Sequence, residues 1–345
     1  MKIEELDSNF KREQTDSSLN YLKIRDTAAE IEGLFPETWQ RLPDAVLEEI
    51  NRPELTELAR HTSGAVLRFQ TDTPVLGLCM ELLEPDFMMS HMPLTGSAGM
   101  DVFADGRYVA TFRAEPGEKM VKGEVPLSGE KTDITVYLPL YNGVKEFYLG
   151  ISENACILKP SEHKIKEPVI FYGSSITQGG CASRTSNAYP ALVTRWLDAG
   201  MYCLGFSGNA KGDLPIARYI AGLPASCLVY DYDYNAPDAA FLGETHRPFL
   251  EYILSCNPKL PVLVMSRPNP EFKSEELQSR TRRQIVQETV LKCREKGYQV
   301  NFLDGVELFG EESRECCTVD GIHPNDLGFY RIAKKVLKEI QELLK

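Results

Sequence analysis

The stretch EPVIFYGSSITQGG, residues 167–180, decides how the second half of this chain is read. A short apolar run, Val169 to Tyr172, ends abruptly in Gly173, two adjacent serines, a threonine and two more glycines. The run reads as a buried strand bounded by turn residues. Hydroxyls and flexible backbone at the tip of such a strand have two explanations. They form an ordinary turn, or one serine is placed where a substrate reaches it.

Downstream, short apolar runs alternate with helical patterns. Strands are expected at 168–172, 200–206, 226–232, 261–266 and 299–303, with helices near 190–199, 214–222, 240–256 and 275–297. A last helix is capped by Asn325 or Asp326, and Phe329, Ile332, Val336, Leu337, Ile340 and Leu344 line one of its faces. This alternation specifies a parallel sheet covered by helices on both faces, in which sites lie at the carboxyl ends of the strands. The strand ends carry matching chemistry. The first ends at Ser174-Ser175, the second in CLGFSGNAKGD with Gly208, and the third in LVYDYDYNAPD with Asn235. The stretch TVDGIHPNDLGFY then places Asp320 and His323 three residues apart. A serine, a histidine and an aspartate are nucleophile, base and orienting carboxylate for acyl transfer, and a glycine N–H with an asparagine amide can receive an oxyanion.

GSSIT, GFSGN, YDYNA and DGIHP, in that order, resemble the four blocks of the SGNH or GDSL hydrolase superfamily over roughly residues 167–340. GMDVF, residues 99–103, resembles the G-x-D-L-Y signature of a β-sandwich that precedes the hydrolase domain in one subgroup. The resemblance implies a flavodoxin-like three-layer α/β domain with a parallel sheet, preceded by a jelly-roll-like β-sandwich. It makes Ser175 the nucleophile, His323 the base and Asp320 its partner. It assigns the oxyanion hole to Ser175, Gly208 and Asn235. Two positions depart from the pattern. Ser174 replaces the aspartate of G-D-S, and Asp233-Tyr234-Asn235-Ala236 replaces G-x-N-D. The implied activity is hydrolysis of a short acyl ester, acetyl first, on a carbohydrate or related small molecule. The competing reading is a carbohydrate-binding protein whose hydrolase site is vestigial.

The first half has a different texture. AVLRFQTDT, MDVFADGRYVATFRA, DITVYLPLY and EFYLGI read as strands, and Asp105-Gly106 is the pair expected of a tight hairpin. Residues 1–160 are therefore expected to form the sandwich, with a helical segment near PDAVLEEINRPELTELARH at its edge or linking strands; residues 165–345 form the second domain. In SHMPLTGSAGMDVFADG, His91 and Asp101 are candidates for an alcohol-side wall of the site, although Asp101 is equally a turn brace. Arg267, after the fourth strand, is either a substrate contact or an exposed surface group.

Composition excludes several function classes. The 345 residues carry a net charge of −12, which disfavours nucleic acid, and no apolar run of membrane-spanning length occurs. The N-terminal MKIEELDSNFKREQTD lacks the apolar stretch of a signal peptide. Nine cysteines without a C-x-x-C pair read as reduced thiols in a cytoplasmic protein, and Cys316-Cys317 as structural thiols. The histidines show no metal-ligand spacing, so neither metal nor other cofactor is expected. GSSITQGG also lacks the lysine of a phosphate loop.

Overall fold

The computed structural model describes residues 6–7 and 18–345. The signal-peptide reading of residues 1–16 therefore lies almost wholly outside the described residues. Five parallel strands form one sheet in the order Ala199–Gly205, Ile165–Gly173, Cys227–Asp231, Val262–Met265, Val300–Leu303. The chain starts near the middle, steps to one edge and returns across to the other, which is the flavodoxin-like order.

The two-residue period of a strand explains why the opening run is apolar throughout. Val169 and Phe171 point into one core, under the helices Tyr189–Leu197 and Asp326–Leu343. Ile170 and Tyr172 point into the other, under Leu214–Ala221, Ala239–Cys256 and Ser279–Glu295. All four side chains are fully buried. Asn325, rather than Asp326, caps the last helix by accepting from the Gly328 N–H at 3.2 Å.

Ahead of this sheet lie two antiparallel sheets. One has the order Asn20–Lys23, Val144–Ile151, Val75–Leu82, Met120–Pro126; the other runs Ile157–Leu158, Val66–Thr71, Thr132–Tyr137, Gly99–Ala104, Arg107–Arg113, with Glu30–Glu32 beside Val66–Thr71. Leu76, Leu78 and Met80 of the first meet Phe69, Val102 and Val136 of the second in a sandwich core. The expected hairpin is present, with Asp105 and Gly106 at φ 46° and 72°, the left-handed pair that a two-residue turn requires.

The helical segment behaves differently from the expectation that it lines the sandwich edge or links strands. Asp44–Ile50 and Pro53–Ala59 bury Leu47, Leu55 and Ala59 together with Ile216 and Ile220, in the helical layer of the parallel sheet. Conversely, Val66, Met92, Phe103, Tyr137, Leu140 and Tyr141 of the sandwich join the core beneath Tyr189–Leu197. Apolar side chains from both halves thus share one core at this part of the junction. Among the described residues, no helix is long and apolar enough to cross a membrane.

Candidate active site

Ser175 opens a one-turn helix, Ser175–Gln178, directly after the strand Ile165–Gly173. Ser174 is the cap of that turn, its hydroxyl accepting from the Ile176 N–H at 3.2 Å. The residue that replaces the aspartate of G-D-S thus organises backbone, and Ser175 alone is turned to the histidine. The Ser175 Oγ lies 2.9 Å from His323 Nε2, and His323 Nδ1 lies 2.7 Å from Asp320 Oδ2. A carboxylate only accepts, so Nδ1 carries the proton and Nε2 is free to take one from the serine.

The loop bearing this pair is fixed locally. Asp320 Oδ1 accepts from the backbone N–H groups of Ile322 at 2.9 Å and His323 at 2.7 Å. Burial works to raise the Asp320 pKa, but the His323 ring and these two N–H groups outweigh it and hold the carboxyl below its ordinary value. Asn269 Nδ2 donates to the Gly321 carbonyl at 2.8 Å from the loop after the fourth strand.

Gly208 has φ 68°, a left-handed conformation suited to glycine, and no heavy atom outside its chain neighbours stands within 4 Å of where a Cβ would be. It is exposed. Asn235 Nδ2 donates one hydrogen to the Phe206 carbonyl at 2.7 Å, which ties its amide to the Gly208 turn and leaves the second hydrogen without a bond among the described residues. The altered third block is held from below. Arg282 donates to the Asp233 carbonyl at 2.7 Å and the Ala236 carbonyl at 2.9 Å, while the Tyr234 hydroxyl donates to the Pro268 carbonyl at 2.7 Å.

The remaining candidates separate. His91 is exposed, and its ring centroid is 5.9 Å from that of His323, so the sandwich loop does reach the site. Asp101 is corrected. It is fully buried and accepts from the Ser186 N–H at 3.0 Å, from the Ser186 hydroxyl and from Thr111, so its carboxylate joins the two halves and has no surface for substrate. For Arg267 the reading as an exposed surface group is corrected. It is buried, its guanidinium 5.3 Å from the Tyr234 ring centroid, and it donates to Ser279.

Two residues near Ser175 were not singled out from the sequence. The Tyr141 hydroxyl donates to the Ser175 carbonyl at 3.3 Å. Gln178 is fully buried, donates to the Leu140 carbonyl at 3.1 Å and to His61 Nδ1 at 3.2 Å, and accepts from the Ser207 N–H at 2.9 Å. Gln178 lies within the opening stretch, where a turn context carries no local sign that a polar side chain is buried.

Residues 166–341 match the sequence model of the GDSL-like lipase/acylhydrolase family, and residues 19–157 match that of the GxDLY N-terminus of SGNH-hydrolase-type esterases. No curated protein sequence matches the chain. Among solved structures, one described as a GDSL-like lipase from Bacteroides ovatus is 26% identical with a TM-score of 0.83, over 95% of this chain and 98% of that one. The salicylyl-acyltransferase SsfX3 of a tetracycline biosynthetic pathway shares the fold at 20% identity and TM-score 0.77, over 94% and 97% of the two chains. An acetyl xylan esterase from Butyrivibrio proteoclasticus does so at 13% and 0.61, over 95% and 99%.

Proposed function

The chain belongs to the GDSL-like lipase/acylhydrolase family, and from that premise we propose that it hydrolyses short-chain acyl esters, acetyl foremost, carried by a carbohydrate or a related small alcohol. The observation that carries this reading is the unbroken relay from Ser175 Oγ through His323 to Asp320, with Gly208 and Asn235 following the two strands that flank the one ending before Ser175.

Ser175 Oγ attacks the ester carbonyl while His323 Nε2 takes its proton, and Asp320 stabilises the imidazolium through Nδ1. The oxygen of the tetrahedral intermediate is received by the Ser175 and Gly208 N–H groups and by the free Asn235 amide hydrogen. His323 then returns the proton to the leaving alcohol. Water, deprotonated by the same imidazole, releases the acid from the acyl-enzyme. His91 stands on the alcohol side, where a sugar ring would pass. Support for a sugar substrate comes from an acetyl xylan esterase and a family two carbohydrate esterase among the proteins that share the two-domain fold. The nine unpaired cysteines support a cytoplasmic setting.

The test is a hydrolysis screen across acyl lengths on aryl esters and across acetylated mono- and disaccharides, with Ser175→Ala as the blank. Turnover that is highest for acetyl and falls with chain length is the expected result. A preference for long acyl chains overturns the substrate assignment. Glycan binding without turnover of any ester overturns the enzymatic one and leaves the vestigial reading.

A further inference from the structure

Arg41 is buried to within 1% of its surface, and among the described residues no carboxylate forms an ion pair with it. Desolvating a guanidinium is costly unless every donor is used. Here four of the five N–H donors go to backbone carbonyls. Nε donates to His61 at 2.7 Å, Nη2 to Leu58 at 2.6 Å, and Nη1 to both Cys203 at 2.7 Å and Gly205 at 2.8 Å. Burial lowers its pKa to about 10, which leaves it charged at neutral pH. The position of the last two carbonyls matters. Ala199–Gly205 is an edge strand of the parallel sheet, and residues two apart direct their carbonyls to the same side. One nitrogen of Arg41 therefore closes the open edge at the point where the strand runs into Phe206-Ser207-Gly208. Its guanidinium also lies 4.6 Å from the Phe206 ring centroid.

Phe206 is the residue whose carbonyl orients the Asn235 amide, and the next N–H, that of Ser207, is held by Gln178 at 2.9 Å. Gln178 is in turn fixed by groups of the chain's first half. It donates to Leu140 and His61, and its own carbonyl accepts from the Ser63 hydroxyl at 2.6 Å. On the side facing the sheet, the segment that ends in Gly208 is held by the Phe206 N–H donating to the Gly173 carbonyl at 2.9 Å, whereas the bonds to its outer edge and to Gln178 lead back to residues 41–63 and 140.

We propose that Arg41 and Gln178 are positioning residues of the oxyanion site: they fix the Gly205–Gly208 segment from beneath and from the side, making the N-terminal half an obligatory part of acyl transfer. The proposal rests on the reading of Gly208 and Asn235 as oxyanion donors. A misplaced donor loses stabilisation of the transition state and little ground-state affinity.

The experiment compares Arg41→Lys, Arg41→Met, Asn235→Ala and the Arg41→Lys/Asn235→Ala pair in the full chain, with an aryl acetate as substrate and thermal unfolding as the folding check. Arg41→Lys is expected to lower kcat about tenfold with KM within about twofold, and Arg41→Met to lower it further. In the pair, the second substitution adds less than about threefold to the loss from Asn235→Ala alone, because both act on one device. Fully multiplicative losses, or a change confined to KM, overturn the proposal while leaving the oxyanion reading intact. An Asn235→Ala enzyme with unchanged kcat overturns that reading and the proposal with it. Should Arg41→Lys not fold, Gln178→Met paired with Asn235→Ala is judged by the same criteria.

Discussion

Ser175 stands between two walls built on opposite plans. On one side, Asp320 and His323 lie three residues apart with side chains 40% and 25% exposed, and the carboxylate is satisfied by the ring and backbone of the same short loop. On the other, the turn through Gly208 continues an edge strand whose carbonyls are closed by Arg41, 162 and 164 positions earlier in sequence. The Asp320–His323 pair is therefore a local construction, and the wall proposed to receive the oxyanion is a long-range one. A local construction survives changes elsewhere in the chain and fails when its own atoms are removed. A long-range one fails by degrees, through whichever support is loosened.

The sharpest break falls at the serine that both walls serve. Ser175→Ala is expected to lower kcat on an aryl acetate by on the order of 10⁴-fold or more with folding intact. Ser174→Ala removes a cap from a one-turn helix, so its cost is about 1 kcal/mol of local stability and a far smaller loss of rate. Covalent labelling with an organophosphate, followed by peptide mass spectrometry, checks the assignment. An adduct on Ser174, or equal losses from both substitutions, would mean that the relay geometry has been misread.

Next in size is the long-range wall. If Asn235 serves the oxyanion as proposed, Asn235→Ala should slow the chemical step by roughly 10²–10³-fold, because a donor aimed at developing charge is lost, with KM nearly unchanged. Single-turnover acylation measured beside steady-state kinetics separates the two parameters. A raised KM at constant kcat would make Asn235 a ground-state contact and erase the distinction between the walls.

A third test probes the strand end beneath both. Asp231 is buried, with one carboxylate oxygen accepting from Thr177 at 3.3 Å and the other without a partner among the described residues. Burial first, and the nearby Asp233 second, raise its pKa from 3.8 to about 7, against the Thr177 bond. The folded state thus holds this proton more tightly than the unfolded chain does. Its contribution is fully present below about pH 4 and is lost as pH rises through 7. Asp231→Asn should flatten the fall in stability between pH 4 and pH 8 by a few kcal/mol at most. Chemical denaturation of both proteins at the two pH values gives the difference, in which any pH-independent cost of the amide cancels. Parallel profiles would show that Asp231 stays ionised.

The same contrast explains what was readable in the sequence. The five parallel strands, the helices between them and the DGIHP loop are recorded in short windows, because an apolar run, a cap or a three-residue spacing is a local pattern. Val75–Leu82 and Met120–Pro126 escaped, since VLGLCMEL and MVKGEVP are poor in the β-branched and aromatic alternation that marks a strand. Asp101, Arg267 and Arg41 were illegible for a related reason. A charged residue in a loop or beside a strand looks exposed, and only tertiary contacts reveal that Ser186, Ser279 or a row of carbonyls has enclosed it. The helical segment was recognised as helical, but the face it covers depends on Ile216 and Ile220, more than 150 residues away.

The smallest effect is expected where the first half reaches around to the open wall. His91 is exposed beside His323, and the loop carrying it is fastened at its far end by Thr95, whose hydroxyl donates to the Ser183 carbonyl at 2.5 Å. An aryl leaving group is compact and departs without needing that wall. On the proposed reading, a sugar alcohol would extend past the serine and bring its hydroxyls to the His91 ring. Loss of one such contact is worth about 1 kcal/mol, or roughly fivefold in kcat/KM. His91→Ala should therefore reduce kcat/KM about three- to tenfold on an acetylated disaccharide and leave an aryl acetate within about twofold. The discriminating quantity is the ratio of the two, measured on the same preparation. If both substrates lose equally, His91 acts on the His323 ring and not on the alcohol; if neither does, the sandwich contributes supports to the site but no wall.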